Sequence, residues 1–507
     1  MMQERRDFLK GIAWMGATAM AAGCLSEGRK LCDSTGAPMH GFRVDPIRDL
    51  RVGIIGVGGR GISAVQRIAQ IPGCRLTAMS DINPKMLDRA QKWLTDNGYP
   101  KAKEWSRNGD EDAWKGLCDS DIVDVVYSVT PRPLHCPINV YAMAHGKHVL
   151  QEVPGAFNLE ECWETVEAAE KYRRHCMMLE NCTYGEAEML AFNLIHKGKL
   201  GDIVQAEVGY SHDQRSLQYN PRDGRFWRLQ RHMTQHGNYY PTHGLVPAGR
   251  CLDINRGDRF DYLVAMESKS AGFEEFGRMN FPADDSATAV DGRKFNRHTQ
   301  KMVKGDVTMC LMRTVNGRQI VLKHDVCNPV PYDRGSHYIG SKGVFRGINF
   351  PGDLNMPGSG AEYAYVNGSP CRFGWIEKPD GDVEKFFDFK KAMELREEYK
   401  HPFWKVAGEI SKKVGGHGGM DFIMDLRWAY CLQNGLPLDT DVYDLATYSS
   451  IVELSERSIN NRSAAIEVPD YTRGGWKTAK PFAVDEIDMN RFDFKNGVVR
   501  DKDAQRT

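Results

Sequence analysis

The stretch RVGIIGVGGRG (residues 51–61) joins a short apolar run to a glycine-rich turn. The apolar run predicts a buried strand, and the apolar spacing of the following SAVQRIAQI (63–71) predicts a helix. Gly56, Gly58 and Gly61 have the spacing GxGxxG, in which the first glycine allows a tight turn, the second lets the backbone approach a pyrophosphate and the third permits close helix–strand packing. The stretch therefore predicts a dinucleotide at the start of a helix, where free amide groups favour anions.

Asp81 supplies the second half of this pattern. It ends the next apolar run, CRLTAMSD (74–81), twenty residues after Gly61. A carboxylate at that place accepts hydrogen bonds from the adenosine ribose and repels a 2′-phosphate, so the pattern predicts NAD rather than NADP. The alternative is a tight turn followed by an aspartate that caps a helix, with no cofactor.

Strands and helices continue to alternate up to about residue 181. Further strands are predicted at DIVDVVYSVT (121–130), HVLQEV (148–153) and HCMMLEN (175–181), and helices at 82–94 and 158–172. The second helix is expected to have Asn158 as N-cap and Glu161 in a capping box. The alternation predicts the fold class α/β, with a Rossmann-type doubly wound parallel sheet.

The chain beyond Cys182 has a different rhythm, in which longer irregular segments separate the periodic ones. Strands are predicted at 202–213, 261–270, 307–314 and 318–326, and helices at 401–414, 421–435 and 442–459. They indicate an α+β domain with an open, mostly antiparallel sheet. The predicted organisation is a signal at 1–25, a linker at 26–48, an NAD-binding Rossmann domain at 49–181, an α+β substrate domain at 182–470 and a C-terminal extension at 471–507, with the tail beyond Pro469 on the surface.

Composition narrows the class of partner. Of 507 residues, 67 are Lys or Arg and 67 are Asp or Glu, and no long block of like charge occurs. This balance argues against nucleic acid or an acidic membrane surface as the main partner. The 13 cysteines are odd in number and form no CxxC pair, so neither a zinc ribbon nor a disulfide framework is indicated and we expect buried, reduced thiols.

The first 25 residues have the pattern of an export signal. RRDFLK (5–10) precedes a weakly apolar run from Gly11 to Leu25, which matches a twin-arginine signal and is too short to span a bilayer. Cys24 either carries lipid, as in a lipoprotein, or is lost with the signal. We expect a periplasmic protein or a membrane-anchored lipoprotein. Because this route carries folded proteins, we also expect a tightly held cofactor.

Several longer segments carry a resemblance to a known family. They are EVP (152–154), HCMMLENCTY (175–184), GYSHD (209–213), GNYYPTHGLVP (237–247), INRGDRFDYLV (254–264), HDVCNPVPYDRG (324–335) and GGHGGMDF (415–422). With the Rossmann half, they resemble the Gfo/Idh/MocA oxidoreductases and, more specifically, glycoside hydrolase family 109, the NAD-dependent α-N-acetylgalactosaminidases. The similarity runs from about residue 49 to about residue 470, and it implies a homo-oligomer and a small glycoside as substrate.

The resemblance also implies which residues bind what. The positions implied for the cofactor are Arg60, Gly61, Asp81, His135, Glu152, Val153, Asn181 and Tyr240. The positions implied for the sugar are Tyr210, Arg228, Tyr240, Pro241, Thr242, His243 and Tyr332.

Two places separate this chain from its relatives. Dehydrogenases of the superfamily that this chain resembles have the sequence Glu-Lys-Pro where this chain has Glu152-Val153-Pro154. Their lysine helps to deprotonate an alcohol, and Val153 cannot take over that role. The family usually has Trp-Glu-Trp before His135, whereas this chain has Arg132-Pro133-Leu134. The second departure affects packing along the cofactor and substrate choice.

The family's chemistry differs from that of ordinary glycosidases, which need two carboxylates. The resemblance implies that NAD takes a hydride from C3 of the sugar, that the ketone acidifies the C2 proton, that the group at C1 is expelled and water adds, and that the hydride returns. His243 is the first candidate for general acid–base work because imidazole titrates near neutral pH, and a hydrogen-bonded structural histidine is the alternative. Tyr184 and Tyr240 are the further catalytic candidates, against buried core tyrosines.

Other candidate residues leave alternatives open. Arg228 is expected to fix a sugar hydroxyl or an acetamido oxygen, against a surface ion pair. His232 and His236 lie four apart on a predicted helix, but with no clear third ligand we predict no metal. His417 either lines the substrate mouth or belongs to a flexible loop. Two rival functions remain, an NAD(P)-dependent sugar oxidoreductase and a non-catalytic NAD-bound carbohydrate-binding protein.

Overall fold

The glycine-rich turn follows the central strand of a six-stranded parallel sheet. A computed structural model describes residues 37–105, 110–221, 225–347, 371–377, 387–481, 492–493 and 500–501. The strands are β1 (Leu50–Ile55), β2 (Cys74–Ser80), β3 (Lys103–Trp105), β4 (Val125–Ser128), β5 (His148–Gln151) and β6 (Cys176–Met178). Their order is β3-β2-β1-β4-β5-β6, and every pairing is parallel. The predicted Rossmann-type sheet is confirmed.

Helices connect these strands in the alternation that the sequence indicates. They are Gly59–Ile68, Pro84–Asp96, Trp114–Asp119, His135–Ala144 and Leu159–Tyr172. Asn158 caps the last of them as predicted and accepts from the backbone N–H of Glu161 at 2.8 Å. The Glu161 carboxylate accepts from the backbone N–H of Phe157 rather than from that of Asn158, so the expected capping box is displaced by one residue.

A second sheet of eight strands occupies the rest of the described chain. Its members are β7 (Ile203–Ser211), β8 (Phe260–Glu267), β11 (Val307–Thr314), β12 (Gln319–Asp325), β13 (His337–Gly340), β14 (Gly343–Gly347), β15 (Cys371–Trp375) and β16 (Ile466–Glu467). The order is β15-β14-β13-β7-β12-β11-β8-β16, and only β7 and β12 pair in parallel. The predicted open, mostly antiparallel sheet is therefore confirmed. Two short ribbons pair β9 (Ala287–Thr288) with β10 (Lys294–Phe295) and β17 (Phe492–Asp493) with β18 (Arg500–Asp501).

One face of the second sheet is covered and the other is open. Residues of β11 alternate between buried and exposed, as expected when only one face packs on a core. Met309 and Leu311 on β11 and Met266 on β8 are exposed on the open side. The remaining helices are Glu186–His196, Arg215–Tyr219, Trp227–Thr234, Thr242–Cys251, Gly272–Asn280, Phe389–Tyr399, Pro402–Val414, Met420–Gln433 and Val442–Asn460.

Two helices from the last third of the chain bring the sheets together. Val442–Asn460 contacts β6 and helix Leu159–Tyr172 on one side and β8 on the other. Met420–Gln433 is buried along its whole length and packs against β1 and helix Gly59–Ile68. Residues from Pro38 onward form one compact unit. This packing carries acidic side chains from the end of the chain to the glycine-rich turn.

Both polar segments that flank the core are more tightly held than predicted. Within the expected linker, Met39 is buried and His40 Nδ1 lies 2.8 Å from the Asp441 carboxylate. The prediction of a surface tail beyond Pro469 is wrong for Tyr471, which is fully buried with its ring centroid 4.6 Å from that of Trp163. Burial of a large aromatic ring is favourable even when the residues around it in the sequence are polar.

Other expectations concern the termini and the cysteines. The predicted signal at 1–25, including Cys24, lies outside the described residues. Among the described helices, none combines the length and apolar character needed to cross a membrane. Ten cysteines of the described part are all free and buried, which confirms the prediction for those ten.

Candidate functional site

The turn after β1 has the geometry that a dinucleotide needs. Gly56 has a φ of 87°, and a Cβ there would lie 2.7 Å from the carbonyl oxygen of Val129. A Cβ on Gly61 would lie 1.9 Å from the carbonyl oxygen of Gly56, so strand and helix could not approach. Gly58 has no described atom within 4 Å of such a Cβ and precedes the helix without a side-chain cap. Open space thus faces the free amides of a helix N-terminus, which suits a pyrophosphate.

Asp81 is braced beside this turn. Its two carboxylate oxygens accept from the backbone N–H groups of Val57 and Asn83, each at 2.8 Å. The cap of the following helix is Asn83, which excludes the alternative that Asp81 is the helix cap. Burial raises the pKa of Asp81. A fixed carboxylate next to Gly56 and Gly58 is what the ribose of NAD requires.

Arg60 and Asn181, both expected at the cofactor, meet on a single carboxylate. Asp421, at the start of helix Met420–Gln433, accepts from Arg60 and, at 2.6 Å, from the amide of Asn181. Arg60 also donates to Glu152 at 2.7 Å, and Arg67 lies 3.5 Å from Asp421. Burial would raise the pKa of Asp421, but Arg60 and Arg67 outweigh it and hold that pKa well below its usual range. Carboxylates and guanidinium groups therefore pair at the carboxyl ends of the strands.

The GGHGG segment closes over this network. Residues 415–419 all have positive φ, between 45° and 103°, a conformation that glycine adopts without strain. A Cβ on Gly416 would lie 2.6 Å from that of Asp421, so the loop can pass only as glycine. His417 is half exposed, and its Nδ1 lies 3.0 Å from Asp421 and 3.1 Å from Arg60. The structure places His417 on the exposed side of the cofactor network, and both His417 and His243 act electrostatically on His212.

The loops after β4 and β5 are joined by His135. Its Nδ1 lies 2.7 Å from the carbonyl oxygen of Pro154, and its Nε2 lies 3.0 Å from that of Thr130. Burial lowers the pKa of His135 to about 4, so the ring is neutral near pH 7. His135 thus fixes the loop that presents Glu152 and Val153. Val153 is buried, and no lysine takes its place.

His243 and Glu180 form a hydrogen-bonded pair. His243 lies in the first turn of helix Thr242–Cys251, and its Nδ1 is 2.6 Å from Glu180 Oε1. Burial opposes ionisation of Glu180, but the charge and hydrogen bond of His243 outweigh it and lower the pKa of that carboxyl. An ionised carboxylate only accepts, so Nδ1 carries the proton and Nε2 is left to exchange one.

Tyrosine rings surround this histidine. The ring centroids of Tyr210 and Tyr240 lie 4.9 and 4.7 Å from that of His243, both edge to face. Tyr332 lies edge to face with Tyr210, and its hydroxyl accepts from Arg334 at 2.9 Å. The Tyr210 hydroxyl is 2.8 Å from His212 Nδ1. Burial raises the pKa of Tyr240, so it is a neutral phenol. Such a ring-lined site suits the apolar faces and hydroxyl edges of a sugar.

Pro241 and Thr242 contribute to the site by positioning the backbone at the start of the helix that carries His243. Pro241 is the N-cap of helix Thr242–Cys251, and both residues fix the direction in which His243 leaves the helix. Arg228 lies on helix Trp227–Thr234 with its guanidinium 3.9 Å from the Trp227 ring centroid. Within the described part of the chain Arg228 has no ion pair, so the alternative of a surface ion pair gains no support.

Tyr184 does not belong to this group. Its hydroxyl donates to Asp439 at 3.0 Å, its ring lies near Arg250, and burial raises its pKa well above the usual range. Arg250 lies one residue before the far end of the helix that begins beside His243. These contacts favour the alternative of a buried core tyrosine, and the catalytic role of Tyr184 stays a prediction.

The histidines considered for a metal do not converge. His232 is buried against the hydroxyl of Tyr239 at 2.7 Å, whereas His236 lies beyond the helix and faces Glu267. The predicted helix ends at Thr234, so the two imidazoles do not share a face. Ligand atoms of Glu180, Cys182 and His243 do lie within 4.8 Å of one another. Burial raises the pKa of the Cys182 thiol well above its usual range, which disfavours the thiolate that a metal binds.

Sequence reasoning missed the two carboxylates that organise the site. Glu180 and Asp421 both lie in quoted segments, next to Asn181 and within GGHGGMDF. Because Glu180 and Asn181 are chain neighbours, one holds His243 while the other contacts Asp421. The cofactor residues and the sugar residues are thus connected through a single turn, Asn181–Tyr184.

Comparison with known families accounts for nearly the whole described chain. Residues 50–180 match the oxidoreductase family with an NAD-binding Rossmann fold, and residues 184–478 match the C-terminal domain of glycosyl hydrolase 109. A family 109 protein of Shewanella pealeana is 36% identical over 494 residues, which are 96% of this chain and 99% of that protein. An α-N-acetylgalactosaminidase of Shewanella oneidensis is 36% identical over 489 residues, covering 95% of this chain and 98% of that enzyme.

Solved structures share the fold. A levoglucosan dehydrogenase in complex with NADH and levoglucosan has a TM-score of 0.58 at 17% identity and covers 83% of this chain and 99% of its own. An inositol dehydrogenase homolog of Azotobacter vinelandii, complexed with NAD⁺, has a TM-score of 0.57 at 16% identity and covers 83% and 98%. At this identity the likeness concerns the arrangement of the two sheets.

Proposed function

The chain belongs to glycosyl hydrolase family 109 and is an NAD-using glycosidase, and from that premise we propose that it hydrolyses α-N-acetylgalactosaminides by transient oxidation at C3, deprotonation at C2 and elimination and addition at C1. The observation that carries the proposal is the Glu180–His243 pair among Tyr210, Tyr240 and Tyr332, one turn away from the cofactor residues. This pair supplies a proton acceptor for the sugar. Ordinary glycosidases instead use two carboxylates that flank the glycosidic bond.

The residues at the first sheet fit NAD. The open approach at Gly58, the free helix N-terminus and the braced carboxylate of Asp81 match its pyrophosphate and ribose. Arg60, Glu152 and Asn181 would hold the nicotinamide end through the Asp421 network. When bound, NAD supplies a reversible exchange of hydride with C3 of the sugar, so the overall reaction is hydrolysis.

The protein's own residues do the proton work. His243 Nε2 takes the proton from C2 and, after exchange with solvent, returns one to C2, because Glu180 holds Nδ1–H and stabilises the imidazolium that forms. Tyr240, a neutral phenol beside His243, passes its own proton to solvent as it takes up that of the C3 hydroxyl, in place of the lysine that Val153 replaces, so that His243 stays free for the C2 proton. Arg228 and Tyr332 orient the sugar. Water is needed only at the addition step.

The decisive experiment follows the chromophore and the cofactor together. Purified protein that retains NAD should release p-nitrophenol from p-nitrophenyl α-N-acetylgalactosaminide with no net formation of NADH. The product formed in D₂O should carry deuterium at C2. Stoichiometric NADH would establish the rival oxidoreductase, and hydrolysis without deuterium at C2 would rule out the elimination route.

We also propose that the protein is exported by the twin-arginine route. The proposal rests on the RRDFLK pattern at 5–10 and on the free, buried state of ten described cysteines, which suits folding in a reducing compartment. Replacing Arg5 and Arg6 by lysine should retain the protein in the cytoplasmic fraction. Lipidation of Cys24 and assembly into a homo-oligomer stay predictions. Metabolic labelling with palmitate and light scattering, respectively, would check them.

A further inference from the structure

Arg132 is a buried cation inside a cage of rings. It belongs to the Arg132-Pro133-Leu134 turn after β4 and is 4% exposed. Its guanidinium carbon lies 4.6 Å from the ring centroid of Tyr240, and between 5.3 and 5.5 Å from those of Tyr239, Trp227 and Phe157. The rings attract the charge through their π faces but cannot replace its hydrogen bonds.

The hydrogen-bonding capacity of this guanidinium is largely unused. Nη1 donates to the carbonyl oxygen of Tyr239 at 2.9 Å, whereas Nη2 is buried and has no partner among the described residues. The charged groups that act most strongly on Arg132 are Arg228 and Arg231, and both repel it. Burial lowers its pKa to about 9, so the group remains charged near neutral pH. A buried charge of this kind is costly unless a counter-ion joins it.

The position of Arg132 points to the substrate rather than to the cofactor phosphates. The pyrophosphate belongs at Gly58 and the helix N-terminus, where Arg60 already pairs with Glu152 and Asp421. Arg132 instead stacks on Tyr240, whose other neighbours are His243 and Tyr210. One group thus touches the ring next to the proton-exchanging histidine and has a free donor.

We propose that Arg132, with Arg228 beside it, forms an oxyanion subsite that selects acidic glycosides, in which a sulfate or carboxylate group lies on or next to the sugar. This inference rests on the proposed glycosidase function and names the class of its substrate. A planar guanidinium with an unused edge matches the two oxygens of such a group. The rings exclude water from the pair, which strengthens it.

Four chromogenic glycosides distinguish where the anion lies. They are p-nitrophenyl α-N-acetylgalactosaminide, its sugar-sulfated analogues at O4 and O6, and the neutral sugar on a 3-carboxy-4-nitrophenyl leaving group. We expect one acidic member to exceed the neutral one by about tenfold or more in kcat/KM, the worth of a charge-assisted hydrogen bond. Arg132→Met should lower kcat/KM for that acidic glycoside by about tenfold, to the level of the neutral one. Arg132→Lys should keep part of the preference.

Matched controls separate folding and cofactor effects from selectivity. Arg173→Met removes another arginine that stacks on a ring, that of Phe42, at the opposite edge of the sheet, and it should leave the acidic preference intact. NAD content and melting temperature are measured for every variant. If wild type shows no acidic preference, or Arg132→Met keeps it, the inference is wrong while the glycosidase function stands. If Arg132→Met loses NAD, the guanidinium serves the cofactor and the inference is also wrong.

A binding arm keeps the inference testable if no glycoside is cleaved. Calorimetry compares N-acetylgalactosamine with its 4- and 6-sulfates on the NAD-loaded protein. Tighter binding of a sulfate that depends on Arg132 would support the subsite even if the proposed hydrolysis fails. Equal binding of sulfated and neutral sugars, together with equal turnover, would overturn it.

Discussion

At the cofactor end of the site, arginines and carboxylates pair with one another, whereas at the sugar end rings predominate and Arg132 has no carboxylate partner among the described residues. Asp421 and Asp425 each face an arginine that is largely buried, Arg60 or Arg67. Near Tyr240, Glu180 is committed to His243 and Glu152 to Arg60, and Arg132 has no carboxylate partner in the described chain. The arginines at the cofactor end have carboxylate partners within the protein, whereas Arg132 at the sugar end needs a ligand to supply one. We infer that the cofactor end is a permanent cradle and that the sugar end is tuned to its substrate.

Removal of the proton-exchanging group is expected to have the largest effect. His243→Ala should lower kcat by about 10²- to 10⁴-fold, the usual contribution of general acid–base catalysis, with NAD content and melting temperature unchanged. Steady-state release of p-nitrophenol measures the loss.

Tyr184→Phe is the matched control for this substitution. It removes a hydroxyl that faces Asp439, so we expect kcat close to wild type and a lower melting temperature. Comparable losses of kcat in both variants would contradict the separation of Tyr184 from the site.

At the cofactor end, substitution should cost stability rather than turnover alone. Asp421→Ala removes the carboxylate that Arg60 and Arg67 share. Because Arg60 keeps Glu152 and Arg67 keeps Asp425, we expect a loss of about 1.5–3 kcal/mol of unfolding free energy, the worth of hydrogen bonds to a charged group. We expect loss of bound NAD as well, measured after denaturation. Asp49→Ala, which removes an exposed pair with Arg75, should change stability by only about 0.5 kcal/mol. Equal effects would show that the network is not a structural cradle.

The features of the site that could be predicted from the sequence are those that depend on local spacing rather than on long-range packing. Gly56, Gly61 and Asp81 act through local spacing, so the Rossmann sheet and the turn were predictable. Strand β3 was missed because it has three partly exposed residues and no apolar run. Asp421 meets Asn181 only through the packing of a helix 240 positions later. Likewise, the spacing around Tyr184 could not tell into which side of the turn its ring points.

A smaller effect is expected where a single carboxylate meets the ribose. Asp81→Ala should weaken binding of NAD to the apoprotein by about 10- to 150-fold, the worth of a hydrogen bond to a charged group, and should narrow the gap between NAD and NADP. Calorimetric titration of both nucleotides measures this. Asp96→Ala, on the exposed face of the next helix, is the control and should bind NAD normally. An unchanged preference for NAD would mean that Asp81 only braces the turn.

The smallest effect distinguishes the two ends by their response to acid. The pKa of Glu180 is lowered in the folded protein, so its contribution to stability is complete above its ordinary pKa of about 4.3 and is lost as pH falls through the lower folded value. The unfolding free energy of wild type minus that of Glu180→Gln should therefore shrink as pH falls below about 4.3, by about 1.4 kcal/mol for each unit of pKa shift. The pKa of Asp421 lies well below its usual range, because two arginines outweigh its burial, so the same difference for Asp421→Asn should persist to lower pH. Urea unfolding between pH 7 and pH 3 measures both differences. If both differences vanish at the same pH, the ion pairs at the cofactor end do not stabilise Asp421 more than His243 stabilises Glu180.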